Sequence, residues 1–88
     1  MPPPPPEGLR PGPIPPWRQL YNYLRAGIED GTFPPDRRLP SITELSQQWE
    51  LSRLTVRKAL DRLKEDGLTE VSPGLGTFPK PPGQRRLY

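Results

Sequence analysis

The 88-residue chain contains no cysteine and no histidine. Without cysteine there is neither a disulfide framework nor a thiolate metal site. Without histidine the usual metal ligand is missing, and so is the one side chain that titrates near neutral pH unaided. There is also no phosphate-cradling glycine loop and no carboxylate pair set in a cleft; acids such as Asp61 and Glu65 read as helix surface. No catalytic residue, cofactor or metal is therefore expected, and an enzyme is a poor reading. Long apolar runs are absent too, since no stretch approaches the roughly 18 residues of a membrane span. The N-terminus is polyproline, which does not read as a secretory signal. A cytoplasmic protein with no membrane partner is the default.

Proline, in contrast, is abundant. The 16 prolines and 8 glycines fill 24 of 88 positions, and nine of the prolines lie in residues 1–16, with four more at 73–82. These ends cannot pack. Residues 1–14 read as a disordered proline-rich leader, with a docking peptide for an aromatic groove as the sharper alternative. Residues 79–88 read as a basic proline-rich flexible tail. The foldable part, 15–78, is short enough to bury only about 60% of its unfolded surface, so it leaves no room for a deep substrate cavity.

The net charge is +3, unevenly spread. Residues 29–50 carry five acids against two arginines, a net of −3, whereas 53–64 carry five cations against Asp61, a net of +4. One basic segment on a mixed chain is an electrostatic footprint for nucleic acid.

The periodicities place that segment. Trp17, Leu20, Leu24 and Ile28 recur at helical spacing behind Pro16, flanked by Tyr21 and Tyr23, and Asp30-Gly31 ends the helix. Arg37 to Pro40 reads as extended. Ser41-Ile42-Thr43-Glu44 is a capping box opening a short second helix that buries Ile42, Leu45 and Trp49. Glu50-Leu51-Ser52 is a turn, with Ser52 the cap of a third, basic helix whose stripe is Val56, Ala59, Leu60 and Leu63. After Asp66-Gly67, Leu68–Ser72, Pro73-Gly74 and Leu75–Phe78 read as a β-hairpin. The fold class is mainly α with a small β-hairpin, a three-helix winged helix-turn-helix.

Leu39-Pro40-Ser41, Glu44-Leu45, Leu51-Ser52-Arg53, Thr55-Val56-Arg57, Ala59-Leu60, Leu63, Gly67-Leu68 and Gly74-Leu75-Gly76-Thr77-Phe78 follow one another in order. With Trp17 to Leu20 and Leu24-Arg25 upstream, they make residues 15–78 closely resemble the DNA-binding domain of the GntR family of bacterial transcription regulators. The resemblance implies sequence-specific binding of double-stranded DNA, usually by a dimer on a palindromic operator. It implies a third helix in the major groove and a wing at the minor groove. Family members normally carry a C-terminal effector domain, and this sequence stops where that domain starts. No effector sensing is carried over, and the chain reads either as a stand-alone minimal regulator, the preferred reading, or as an excised domain. A nucleoid-associated transcriptional repressor that occludes a promoter is the expected function. A winged-helix adaptor for protein–protein contact is the alternative, favoured by the proline-rich ends and by Leu54 and Leu75, and opposed by the basic third helix. A second copy is an expected partner, at least on DNA, meeting through Tyr21 or Tyr23 or only on adjacent half-sites.

At 100° per residue, Ala59, Leu60 and Leu63 fall within about 60° of Val56, which turns Leu54, Arg57, Lys58 and Asp61 outward. The N-terminal turns of a recognition helix enter the groove first, so Arg53, Leu54, Thr55, Arg57 and Lys58 are candidate DNA contacts. Arg53 and Arg57 suit guanine O6 and N7; the competing reading is a solvated basic face. Leu54 is either an isolated exposed leucine or a contact for a thymine methyl. Ser41 and Ser52 cap helix ends whose free N–H groups suit phosphate. Gly74, Leu75, Gly76 and Thr77 form the wing. Three positions depart from the family pattern: Thr43, where an arginine often reaches DNA; Glu50, where glycine is frequent; and Leu75, where a cation is common. Less is therefore expected of the wing, with Lys80, Arg85 and Arg86 compensating along the backbone. Deletion of 79–88 is expected to lower DNA affinity and flatten its salt dependence, read from binding at several salt concentrations; an unchanged slope refutes the tail's role.

Overall fold

The structure, a computed structural model, describes residues 13–81 and Gly83. Most of the expected leader, and Arg85 and Arg86 of the tail, lie outside these residues. None of the described helices is long and apolar enough to cross a membrane.

Helix α1 runs Pro16–Asp30. Proline occupies its first position, where no N–H is needed, and the Pro15 carbonyl accepts from Arg18 and Gln19. Leu20, Leu24 and Ile28 are fully buried. The helix ends at Gly31 in the left-handed region (φ 88°). Inside it, Gly27 has no space for a Cβ, because the Phe33 ring folds back onto it.

Helix α2 spans Ile42–Trp49 with both halves of the capping box formed: Glu44 N–H donates to Ser41 Oγ and Ser41 N–H to Glu44 Oε1, each at 3.1 Å. Helix α3 spans Arg53–Glu65, and Ser52 Oγ accepts from Thr55 N–H at 3.2 Å. Between them Glu50 takes φ 53°, ψ 44°. That left-handed geometry costs a side-chain-bearing residue about 1–2 kcal/mol. Ser46 secures the turn from both sides: its carbonyl accepts from Glu50 and Leu51, and its hydroxyl donates to the Leu51 carbonyl at 2.5 Å.

Strands β1 (Thr69–Ser72) and β2 (Gly76–Pro79) pair antiparallel, from Thr69 opposite Pro79 to Ser72 opposite Gly76. Leu75 N–H donates to the Ser72 carbonyl across Pro73-Gly74, with Gly74 at φ 79°, the residue order a type II turn requires. A backbone bond fastens the hairpin to the body. Leu39 N–H donates to the Thr77 carbonyl at 2.7 Å, so the Arg38–Pro40 stretch borders β2, while the expected extension at Arg37 gives way to a bend, its N–H donating to the Pro34 carbonyl. Lys80 N–H donates to the Leu68 carbonyl at 2.9 Å and continues the hairpin's own ladder. Helix–helix packing and this hairpin make a winged helix-turn-helix.

The structure corrects three details. The hairpin runs past Phe78: Pro79 is a buried strand residue and Lys80 is bonded, so the expected tail starts inside the fold. Proline is tolerated there because it ends the strand and no ladder donor is asked of it. Leu60 is only half-buried, since it sits at the edge of the α3 stripe facing the hairpin side. Tyr21 is not a flank but core, at 1% exposure. Its hydroxyl donates to the Asp66 carboxylate and accepts from Arg25, tying α1 to the end of α3. Tyr23 is half-buried, edge-on to Trp49 at 5.2 Å and Phe33 at 6.2 Å. Tyr21 therefore offers a second copy no surface.

The Tyr21 hydrogen bond, with Arg62 beside it, holds the Asp66 carboxyl below the usual carboxylate range. A group depressed in the folded state stabilises above its unfolded pKa of about 3.9 and loses that contribution as pH falls through its lower folded value. Tyr21→Phe is expected to cost about 1–2 kcal/mol in denaturant unfolding at pH 7. The difference from the parent should shrink below about pH 4, as Asp66 protonates; a pH-independent difference contradicts the Tyr21–Asp66 bond.

Candidate nucleic-acid interface

Helix α3 is covered along one side. Val56, Ala59 and Leu63 are fully buried, and α1 and α2 both pack on this helix. What remains outward at its N-terminal half is Arg53, Leu54, Arg57 and Lys58, all exposed, with Leu54 at 81%. Thr55 is turned toward the cap: its Oγ1 lies 2.8 Å from Ser52 Oγ and its N–H is bound there too. Arg57 approaches Asp61 at 4.0 Å with both side chains well exposed, a pair weak enough to leave the guanidinium available. Lys58 leans the other way, with its ammonium 4.9 Å from the Trp17 ring centroid on α1.

Arg57 is the midpoint of the surface. It shares one shallow groove with Trp17, Leu54 and Lys58, and a second with Ile42, Lys64, Val71 and Thr77. The exposed side of α3 is thus continuous with α1 at one margin and with the start of α2 and the hairpin at the other. Thr43 lies exposed one residue into α2. The Ser41 side chain is committed to its cap, as is that of Ser52. At the wing, Gly74 has open space around it and Leu75 is 69% exposed. Gly76 takes φ 121°, and Thr77 is half-buried.

Two residues passed over in the sequence belong to this surface. Arg38 Nη1 bonds Glu44 Oε1 at 3.1 Å, and its Cδ lies 3.3 Å from where a Cβ on Gly76 would stand. It joins the start of α2 to the wing. The Ser41 N–H and this arginine hold the Glu44 carboxyl below its ordinary value. Trp17, counted only as part of the core stripe, is half-exposed and carries Lys58. The one local sign of Arg38 is a cation just before Leu39-Pro40-Ser41; its contact with Gly76 is tertiary. No cluster of three acids, histidines or cysteines among the described residues is placed to hold a metal ion.

Set beside known proteins, residues 16–78 match the model of the bacterial regulatory proteins of the gntR family. The HTH-type transcriptional repressor NagR of Bacillus subtilis is 41% identical over 70 residues, covering 80% of this chain and 29% of that protein. A histidine utilization repressor of Pseudomonas aeruginosa is 38% identical over 77 residues, 86% of this chain and 31% of its own. Among solved structures, AraR(DBD) in complex with operator ORX1 superposes with a TM-score of 0.76 at 35% identity, over 82% of this chain and 93% of that one. The chain belongs to the GntR family. It spans under a third of the length of these two repressors.

The packing of Arg38 on Gly76 gives a direct test of how the wing is held. Gly76→Ala meets both the positive φ and the Arg38 side chain. It is expected to cost about 1–3 kcal/mol in chemical unfolding and to speed amide exchange across β1 and β2. Parent-like stability and exchange would show that neither the backbone angle nor Arg38 constrains the wing.

Proposed function

We propose that this chain binds double-stranded DNA in a sequence-specific manner and acts as a transcriptional repressor. The observation that carries this reading is the uncovered face of α3: Arg53, Leu54, Arg57 and Lys58 project from its N-terminal turns, beside the N-terminal ends of α2 and α3. The N-terminal half of α3 enters the major groove, and the hairpin lies at the minor groove. Arg57 and Arg53 read guanines. The free N–H groups at the capped helix ends, together with Lys58, hold phosphates and set register. No catalytic step is involved. Support comes from the repressors this chain resembles and from AraR(DBD), which was solved with its operator.

The departures from the family pattern tune the reading. Thr43 is too short for the reach of an arginine, and Leu75 gives the wing tip no cation. Arg38, half-exposed and paired with Glu44 at 3.1 Å, stands between them, and its remaining guanidinium N–H groups give the wing side a phosphate contact from the body of the fold. One domain covers little DNA, and tight specific binding calls for more surface. Two copies therefore occupy adjacent half-sites of the operator.

Selection of bound duplexes from a random-sequence pool at moderate salt tests the reading. A recurrent motif containing guanine, repeated at a fixed spacing, is expected. Arg57→Ala should weaken binding to that motif about tenfold to a hundredfold and relax preference at one position. No enrichment, with retention that is weak and merely salt-sensitive, contradicts sequence-specific binding.

A further inference from the structure

We propose that Leu54 is a specificity-determining residue that reads the 5-methyl group of a thymine in the major groove. The inference rests on the DNA-binding reading above and deepens it.

Leu54 is the second residue of α3, in the turn that reaches deepest into a groove. It is the most exposed large apolar side chain among the described residues, at 81%, and takes no part in the core that buries Val56, Ala59 and Leu63. Its neighbours are Arg53, Arg57 and Lys58, all exposed. An apolar tip flanked by Arg53 and Arg57 suits an apolar group bordered by anions. The thymine methyl in the major groove is such a group: it is the one apolar feature of the base edges there, and phosphates flank it.

The neighbours also leave that place open. Lys58, one turn along, rests on Trp17, which keeps its ammonium at the α1 margin and suits it to phosphate rather than to a base. Thr55 points into the cap. At the tip of α3 the outward side chains are thus Arg53, Arg57 and Leu54: two guanine readers and one methyl reader. Thymine next to guanine is the expected signature.

The experiment takes the full chain and the duplex recovered by selection, and replaces each thymine in turn by uracil. This removes the methyl and nothing else. Wild type is expected to lose about fourfold in affinity at one thymine, the size of one buried methyl contact. Leu54→Ala is expected to bind that thymine and uracil duplex equally, with affinity near that of wild type for the uracil form. Because Leu54 lies outside the core, the variant should unfold as the parent does, which a denaturant titration verifies. Wild type indifferent to every thymine-to-uracil change overturns the proposal and leaves the DNA-binding reading intact. So does discrimination that survives in Leu54→Ala. Failure of selection to yield any duplex overturns both.

Discussion

The whole arrangement depends on α3 being gripped from one side only. Val56, Ala59 and Leu63 interlock with the buried stripe of α1, with α2 beside it, and among the described residues the outward side of the helix stays exposed at Arg53, Leu54, Arg57, Lys58 and Asp61. A core of this size cannot cover both faces of its third helix. The face it leaves bare is where the sequence concentrates positive charge. Core packing and the proposed DNA-reading face are thus divided along one helix by its 100° repeat, and substitutions on the two sides should have separable effects.

Two fastenings fix the direction in which that bare face points. At the N-terminal end, the turn through Glu50 sets α3 against α2; the chain accepts a left-handed non-glycine residue there, and Ser46 holds the turn with its carbonyl and hydroxyl. At the far end, Asp66 is anchored to α1 through Tyr21. The wing is joined to the body by the bond from Leu39 to Thr77 and by the packing of β1 on α3, while the Lys80–Leu68 bond lengthens its own ladder. A two-stranded hairpin is marginal alone, so these attachments, with Arg38 packed on Gly76, give the wing a fixed place beside α2.

Most of the fold was legible because its signals are local. Apolar spacing located the three helices, serine at the caps set two of their starts, and Pro73-Gly74 gave the hairpin turn. What escaped was set by tertiary contact. Tyr21 reads as an amphipathic flank until its hydroxyl meets Asp66, 45 residues away. Pro79 looks like the start of a proline-rich tail, and only its pairing with Thr69 makes it a strand residue. The candidate site divides in the same way. Arg53, Leu54 and Arg57 follow from helical phase, whereas the turning aside of Lys58 by Trp17 and the bridge made by Arg38 needed the packed chain.

The uncovered face of α3, with the start of α2 and the wing, is the surface proposed to meet DNA. Amide chemical-shift mapping of the labelled protein during titration with its selected duplex locates that surface. The largest changes are expected at 38–44, 52–58 and 74–77, with a smaller one at Trp17 beside Lys58, and the rest of α1 and the last turn of α3 unmoved. Perturbations centred on the exposed face of α1, with 52–58 unchanged, would contradict it.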